Sequence, residues 1–250
     1  MWHSQRRSKI LSILKSEANA RTSEIAHELG VSRETVRRDL KSLESKGLLD
    51  RVHGGAVMPE HESEASFDKR RRLNWNEKMQ IGRKALDLLS PGMSIFLDAG
   101  TTTLAFAEQL RNGPEVTVIT NSLSAAEILG PDALLLGGRI LSDVPACFGE
   151  LTLSQIDRFR ADMAIISPTA VHAESGVMYY ELHESEVARA MATRAACTVA
   201  LADRSKFAAT SRVVMAELST IDRIITCDRH DADVQKQFGI FLRKTMPARC

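Results

Sequence analysis

Cysteine is sparse in this sequence, and what there is does not cluster. Cys147, Cys197, Cys227 and Cys250 lie far apart, with no Cys-x-x-Cys pair and no histidine at metal-ligand spacing. That excludes a finger-type metal site and predicts reduced thiols, no metal and no cofactor. No stretch has the length and apolarity of a transmembrane helix, and Met1 to Ser8 is polar and basic without a signal-peptide core. A cytoplasmic location is therefore expected. Internal repeats and low-complexity tracts are also missing. Net charge is nearly absent too, at +1 for 250 residues, but the balance is uneven. Residues 1–57 hold 11 Lys and Arg against 7 Asp and Glu, and the remainder holds 22 against 25. The basic excess thus sits at the N-terminus, where counterion release onto DNA would use it.

What is present begins with residues 22–55. Thr22 is placed to cap a helix, Glu24 lies in its first turn, and Ile25, Ala26 and Leu29 supply an apolar stripe. Gly30 stops that helix and Ser32 caps the next, so the connection is the tight turn of a DNA-binding helix-turn-helix. In the second helix Val36, Leu40 and Leu43 recur at core spacing. Glu34, Arg38 and Lys41 lie opposite, Arg37 flanks them, and Arg33 stands with Thr35 at the end that enters a major groove in this motif. Two short apolar runs around Gly54-Gly55 then predict a β-hairpin wing carrying Arg51 and His53. His53 is either a wing contact or a surface histidine.

Residues 5–17 read as an amphipathic helix closing the head, its Arg6, Arg7, Lys9 and Lys15 available to the DNA backbone. The head is thus expected over 1–57. Residues 58–74, acidic and then basic at Lys69-Arg70-Arg71-Arg72, read as an exposed linker. The quartet either holds phosphates or starts a solvated helix. Residues 75–250 form the second domain. A helix near 76–89 precedes apolar runs at 94–97, 116–120, 133–136, 163–166, 198–201 and 223–226, separated by helical segments near 101–110, 122–129, 149–158, 183–196 and 231–238. That alternation predicts an open, mostly parallel α/β sheet, whose ligands bind at the carboxyl ends of the strands.

Those ends are polar. Asp98-Ala99-Gly100-Thr101-Thr102-Thr103 joins a strand to a helix N-terminus, where free N–H groups favour a phosphate. Thr120-Asn121-Ser122, Gly137-Gly138-Arg139 and Asp203-Arg204-Ser205-Lys206 end other strands. Taken singly, each is consistent with a cap or a turn. Together they predict a site for a small sugar or polyol phosphate. A DNA-binding head joined to such a site reads as a ligand-responsive regulator of double-stranded operator DNA. The alternative is a sugar-phosphate isomerase-type enzyme with an accessory head, using Asp98, Glu184 or Asp203 as acid and base. Because operators of this motif are usually two-fold related, a homodimer or homotetramer is expected.

Over nearly its whole length the chain resembles the DeoR family of bacterial repressors of sugar metabolism. The resemblance rests on Val31-Ser32-Arg33-Glu34-Thr35-Val36-Arg37-Arg38-Asp39-Leu40, Arg51-Val52-His53-Gly54-Gly55-Ala56, Asp98-Ala99-Gly100-Thr101-Thr102, Thr120-Asn121-Ser122, Gly137-Gly138 and Ala202-Asp203-Arg204-Ser205-Lys206-Phe207. It implies a winged helix and an effector domain similar in fold to ribose-5-phosphate isomerase. It also implies repression of carbohydrate catabolism or transport genes, relieved by a phosphosugar. By position, Gly100 to Thr103 would hold the phosphate, and Asp98, Glu184 and Lys206 would face the sugar. Two departures stand out: Ser167 to His172 replaces a segment where members commonly carry Asp-Gly, and Ala188 replaces a basic residue. His172, His183, Glu181 and Glu186 either reshape the pocket or lie on the surface.

Overall fold

The structure is a computed structural model describing residues 3–17, 19–45, 48–52, 54–57, 64–207, 209–227 and 238. His53, the basic residues' neighbours 58–63 and nearly all of the expected 231–238 helix lie outside them. The chain divides into two compact units, Met1–Glu64 and Ala65–Cys250.

In the first unit, α1 (His3–Glu17) lays Ile10 and Leu14 into a core with Ile25 of α2 (Thr22–Leu29) and Val36 and Leu40 of α3 (Arg33–Glu44). Each such buried side chain contributes about 1.5–3 kcal/mol of hydrophobic stabilisation. Gly30 takes the left-handed conformation (φ 62°, ψ 37°) that ends α2, and the Ser32 hydroxyl accepts the Thr35 N–H at 3.1 Å to begin α3. The start of α2 differs from expectation. Its N-cap is Arg21, whose backbone N–H is accepted by Glu24 at 2.8 Å, while Thr22 is the first helical residue and donates its N–H to Gly54 O. Thr22 is drawn into the helix because its N–H has a partner at the tip of the wing.

The wing is β2 (Asp50–Val52) and β3 (Gly55–Val57), antiparallel as expected. A third strand, β1 (Asn19–Arg21), pairs with the far side of β3. The pairing is close: a Cβ on Gly55 would sit 2.3 Å from Ala20 O, so only glycine fits there.

The second unit opens with α4 (Phe67–Arg72), inside the segment read as linker. Phe67 is buried, its N–H is taken by Asp143, and Ser66 caps the helix. The charge of 68–72 masked one anchoring aromatic. Next comes α5 (Trp75–Leu86), followed by β4 (Ser94–Leu97), α6 (Thr101–Leu110), β5 (Thr117–Thr120), α7 (Leu123–Leu129), β6 (Ala133–Leu135), α8 (Glu150–Ile156) and β7 (Ala161–Ile166). After β8 (Ala170–His172) and β9 (Gly176–Tyr179), α9 (Leu182–Arg194) runs directly into β10 (Ala195–Leu201), and β11 (Val213–Ala216) and β12 (Arg223–Ile225) complete the order.

Six strands make one parallel sheet in the order β12-β10-β7-β4-β5-β6, confirming the expected architecture. Ile95, Leu97, Val118, Met163, Ile165 and Val199 fill one layer with Ile81 and Phe106 of the covering helices. Strands β8, β9 and β11 form a separate antiparallel sheet that the sequence pattern did not reveal. It brings Val171, Val177 and Tyr179 against Ile166, Ala200 and Phe207. Cys147 and Cys227 are buried thiols, the latter donating to Glu77 Oε1 at 3.1 Å, whereas Cys197 is disulfide-bonded, which corrects the expectation of a thiol at that position.

Candidate DNA-binding face and effector site

On α3, the buried stripe of Val36, Leu40 and Leu43 leaves Arg33, Glu34, Arg37, Arg38 and Lys41 exposed and Thr35 half-buried. Glu34 lies 3.9 Å from Arg37 and 3.8 Å from Arg38, ion pairs at the surface that contribute at most about 1 kcal/mol and leave the guanidiniums accessible. A groove of about 560 Å³ runs beside the helix, lined by Thr22, Ser23, Arg33, Arg37, Arg51, Val52, Gly54 and Gly55. It therefore joins the starts of α2 and α3 to the wing. Arg51 is exposed on β2, 3.7 Å from Glu44.

Asp39 is the exception on α3. It is 2% exposed and ion-paired with Arg6 and Arg7 of α1. Burial pushes its pKa up, but the hydrogen bonds and charges of the two guanidiniums outweigh that and hold it below the ordinary 3.8. Arg6 is itself buried, so its charge serves this clamp rather than a DNA backbone.

At the carboxyl edge of the large sheet, the residues after β10, β7, β4 and β5 lie side by side, as the strand order requires. Asp98 is 1% exposed, and three donors surround it. The Tyr179 hydroxyl donates to Oδ2 at 2.7 Å, the Ser167 N–H donates to Oδ2 at 3.4 Å, and the Ala99 N–H donates to Oδ1 at 2.8 Å. Burial pushes its pKa up to about 7 although those hydrogen bonds pull it down. The Tyr179 hydroxyl is pushed up by burial and by the carboxylates of Asp98 and Glu184, which places the buried Glu184 of α9 close to the same pair.

A raised acid pKa means that the folded unit holds a proton the unfolded chain releases above 3.8. Stability of the second unit should therefore fall as pH rises from about 4 to about 7. Thermal melts should show that slope in the wild type and a flatter one in Asp98→Asn; equal slopes would place the titration elsewhere.

Gly100 precedes α6, and among the described residues no side chain caps that helix, so its first N–H groups lack a side-chain acceptor, although Thr101, Thr102 and Thr103 are themselves buried. A Cβ on Gly100 would lie 2.7 Å from Ser167 Cβ. Ser167, the first residue of the departure from the family pattern, is thus the wall against which the loop packs. Beneath the loop lies Lys78 of α5, 2% exposed, donating to Thr101 Oγ1 at 3.0 Å and to Arg70 O at 2.6 Å. Desolvation lowers its pKa to about 8; Asp203 and Glu77 favour its charge, while Lys206 and Arg70 oppose it. Lys206 is half-buried and Asp203 buried. Asp203 also accepts from Asn74 Nδ2 at 3.3 Å and from Ser205.

Asn121 follows β5, wholly buried, with Nδ2 on Cys147 O and with no hydrogen-bond partner for Oδ1 among the described residues. Gly138 lies beyond the edge strand β6, where a Cβ would meet Thr152 Oγ1 at 2.1 Å; it is a close-packing position. Of the histidines, His172 accepts two N–H groups of its own turn, and His183 packs edge-on to Phe148 at 4.6 Å. Ala188 belongs to the core beside Ile166 and Val171, which a basic residue would not enter without loss.

Sequence reasoning missed Lys78 and Tyr179. The first had a signal: Lys78, Ile81 and Ala85 share one face of α5, and that face is buried. Tyr179 sits in a four-residue strand whose environment comes from a sheet no local pattern announces.

A winged helix-turn-helix joined in one chain to a parallel α/β unit, with a buried lysine at a helix N-terminus on its strand edge, defines a DNA-binding transcription regulator with a sensor domain. Comparison with known proteins agrees. Residues 6–62 match the DeoR-like helix-turn-helix domain, and residues 73–228 match the DeoR C terminal sensor domain. The chain belongs to the DeoR family, and it is a transcriptional regulator rather than an enzyme. It is 32% identical to the glycerol-3-phosphate regulon repressor of Haemophilus influenzae over 91% of each chain. It is 36% identical to the HTH-type transcriptional repressor GlcR of Bacillus subtilis, over 90% of this chain and 89% of that one. Ribose 5-phosphate isomerase A from Methanocaldococcus jannaschii is a distant structural neighbour, 20% identical over 54% of this chain and 55% of that one, with a TM-score of 0.39. Among the described residues no helix is long and apolar enough to cross a membrane.

Proposed function

We propose that the chain represses genes for uptake or breakdown of a carbohydrate and leaves its operator when a phosphorylated sugar or polyol binds the second unit. The observation that carries the effector class is the uncapped α6 N-terminus with a buried ammonium beneath it and Lys206 beside it. Backbone N–H groups and cations around one point favour a phosphate over a neutral sugar. The relatives named for glycerol 3-phosphate support the same class. Gly100, Thr101, Thr102 and Thr103 hold the phosphate in this reading, and Asn121, Glu184 and Lys206 meet the hydroxyl-bearing end. Asp98, already surrounded by three donors, shapes the floor.

On the DNA side, α3 enters the major groove with Arg33, Arg37, Arg38 and Lys41, Ser32, Glu34 and Thr35 sit at its leading end, and Thr22 and Arg51 reach the backbone. The head spans 1–57, and the chain acts as a homo-oligomer, since two heads are needed for a two-fold operator. Release requires that effector prefer the conformation that does not fit DNA. Moving occupancy from 99:1 to 1:99 takes about 10⁴-fold preference, about 5.5 kcal/mol. A thermal-shift screen of sugar phosphates and their unphosphorylated counterparts tests the effector class. A phosphorylated compound should raise the melting temperature and its neutral counterpart should not. Equal response to both would refute the phosphate reading.

A further inference from the structure

The ammonium of Lys78 has three protons and spends two of them within the protein, on Arg70 O and on Thr101 Oγ1. Both partners are neutral. Thr101 is the first residue of α6, on the loop assigned to the phosphate, and Arg70 lies in α4, the first helix of the second unit. One buried cation therefore ties the loop to the helix nearest the DNA-binding head along the chain. Other anchors of α4 do not involve it: Phe67 donates its N–H to Asp143, and Ser66 caps the helix start.

We propose that Lys78 takes the effector's phosphate and in doing so gives up the Arg70 carbonyl, so that occupancy of the site is passed to α4. The inference rests on the phosphate reading of the Gly100–Thr103 loop. A phosphate on the α6 N–H groups stands next to Thr101, within reach of the ammonium that already touches its hydroxyl. Both bonds are charge-assisted, but the one to an anion adds a direct coulombic attraction that the neutral carbonyl cannot offer. Drawn toward the dianion, the ammonium swings off the carbonyl, and the last turn of α4 loses its cationic partner. The start of α4 at Ser66 and Phe67 continues back along the chain to the wing, so loosening of the turn at Arg70 reaches the tether of the head through this short helix.

Hydrogen exchange on the full chain tests this, with inorganic phosphate and glycerol 3-phosphate as probes and with Lys78→Met and Lys78→Gln as variants. In the wild type, amides 70–73 should exchange at least about threefold faster when either probe is bound. Lys78→Met should bind the probes at least about tenfold more weakly, with exchange at 70–73 insensitive to them. Lys78→Gln keeps a donor for Arg70 O without the charge and should lose the probe response as well. Unchanged or slower exchange at 70–73 in a probe-bound wild type overturns the relay but leaves the phosphate site standing. Wild-type responses in both variants overturn the role of Lys78. A wild type that binds neither probe nor any sugar phosphate removes the site and this inference together. Should either variant fail to fold, the wild-type exchange alone decides the relay.

Discussion

Asp39→Ala should abolish operator binding although Asp39 touches no DNA in this account. The carboxylate lies on α3 between exposed Arg37 and Arg38 on one side and Lys41 on the other, yet it is 2% exposed and faces Arg6 and Arg7. Removing one partner of a buried pair leaves the other charge desolvated, at a cost of about 3–5 kcal/mol. A small head has roughly that much stability in total. The variant should therefore lose the head's protection in hydrogen exchange, while the second unit melts as before. Replacing the pair by apolar residues, Arg6→Met with Asp39→Leu, should restore most of the loss, because the desolvation penalty goes with the charges. A well-folded Asp39→Ala head with weak DNA binding would instead make Asp39 part of the interface. Acid acts in the same direction: a carboxylate held below 3.8 contributes stability that is present above that value and lost as pH falls through the folded pKa.

The second large effect is expected from Arg33→Ala and Arg37→Ala. Both side chains are exposed and line the groove that runs from α2 to the wing, and neither enters the core. Each should leave the melting temperature within about 2 °C and weaken operator affinity by about 10- to 100-fold, corresponding to the 1–3 kcal/mol of a base contact. If one of them holds only a phosphate, its loss should weaken all sequences alike and reduce the salt slope by about one. Wild-type affinity in the double variant would show that α3 presents another face to DNA.

The elements most readable from sequence were those whose signals are local. Gly30 and Ser32 mark the turn by their own backbone and side-chain chemistry, and Val36, Leu40 and Leu43 mark the core face of α3 by spacing. Apart from the edge strand β6, whose Leu134 and Leu135 are exposed, the parallel strands announced themselves as continuous apolar runs because both faces are covered. What escaped depends on partners distant in sequence. Strand β1 is three residues long and exists because β3 offers an edge. The small antiparallel sheet joins residues 170–179 to 213–216, and nothing within either segment marks the pairing. Arg6 looks like a solvated cation in a basic helix, and although Lys78 shares its helix face with Ile81 and Ala85, only the fold shows the acceptor on which each is buried. For the same reason the polar strand ends were legible as a group, while the cation beneath them was not.

The central claim is that phosphate binding at the strand edge and DNA binding by α3 oppose each other in one molecule. It is tested most directly by titrating the full chain onto its own upstream DNA by fluorescence anisotropy, with and without a saturating sugar phosphate from the thermal-shift screen. Reciprocity requires that the compound weaken DNA binding by the same factor by which DNA weakens the compound's binding. A matched loss of tenfold or more in both directions is the expected result. Tight effector binding that leaves operator affinity unchanged would contradict the account.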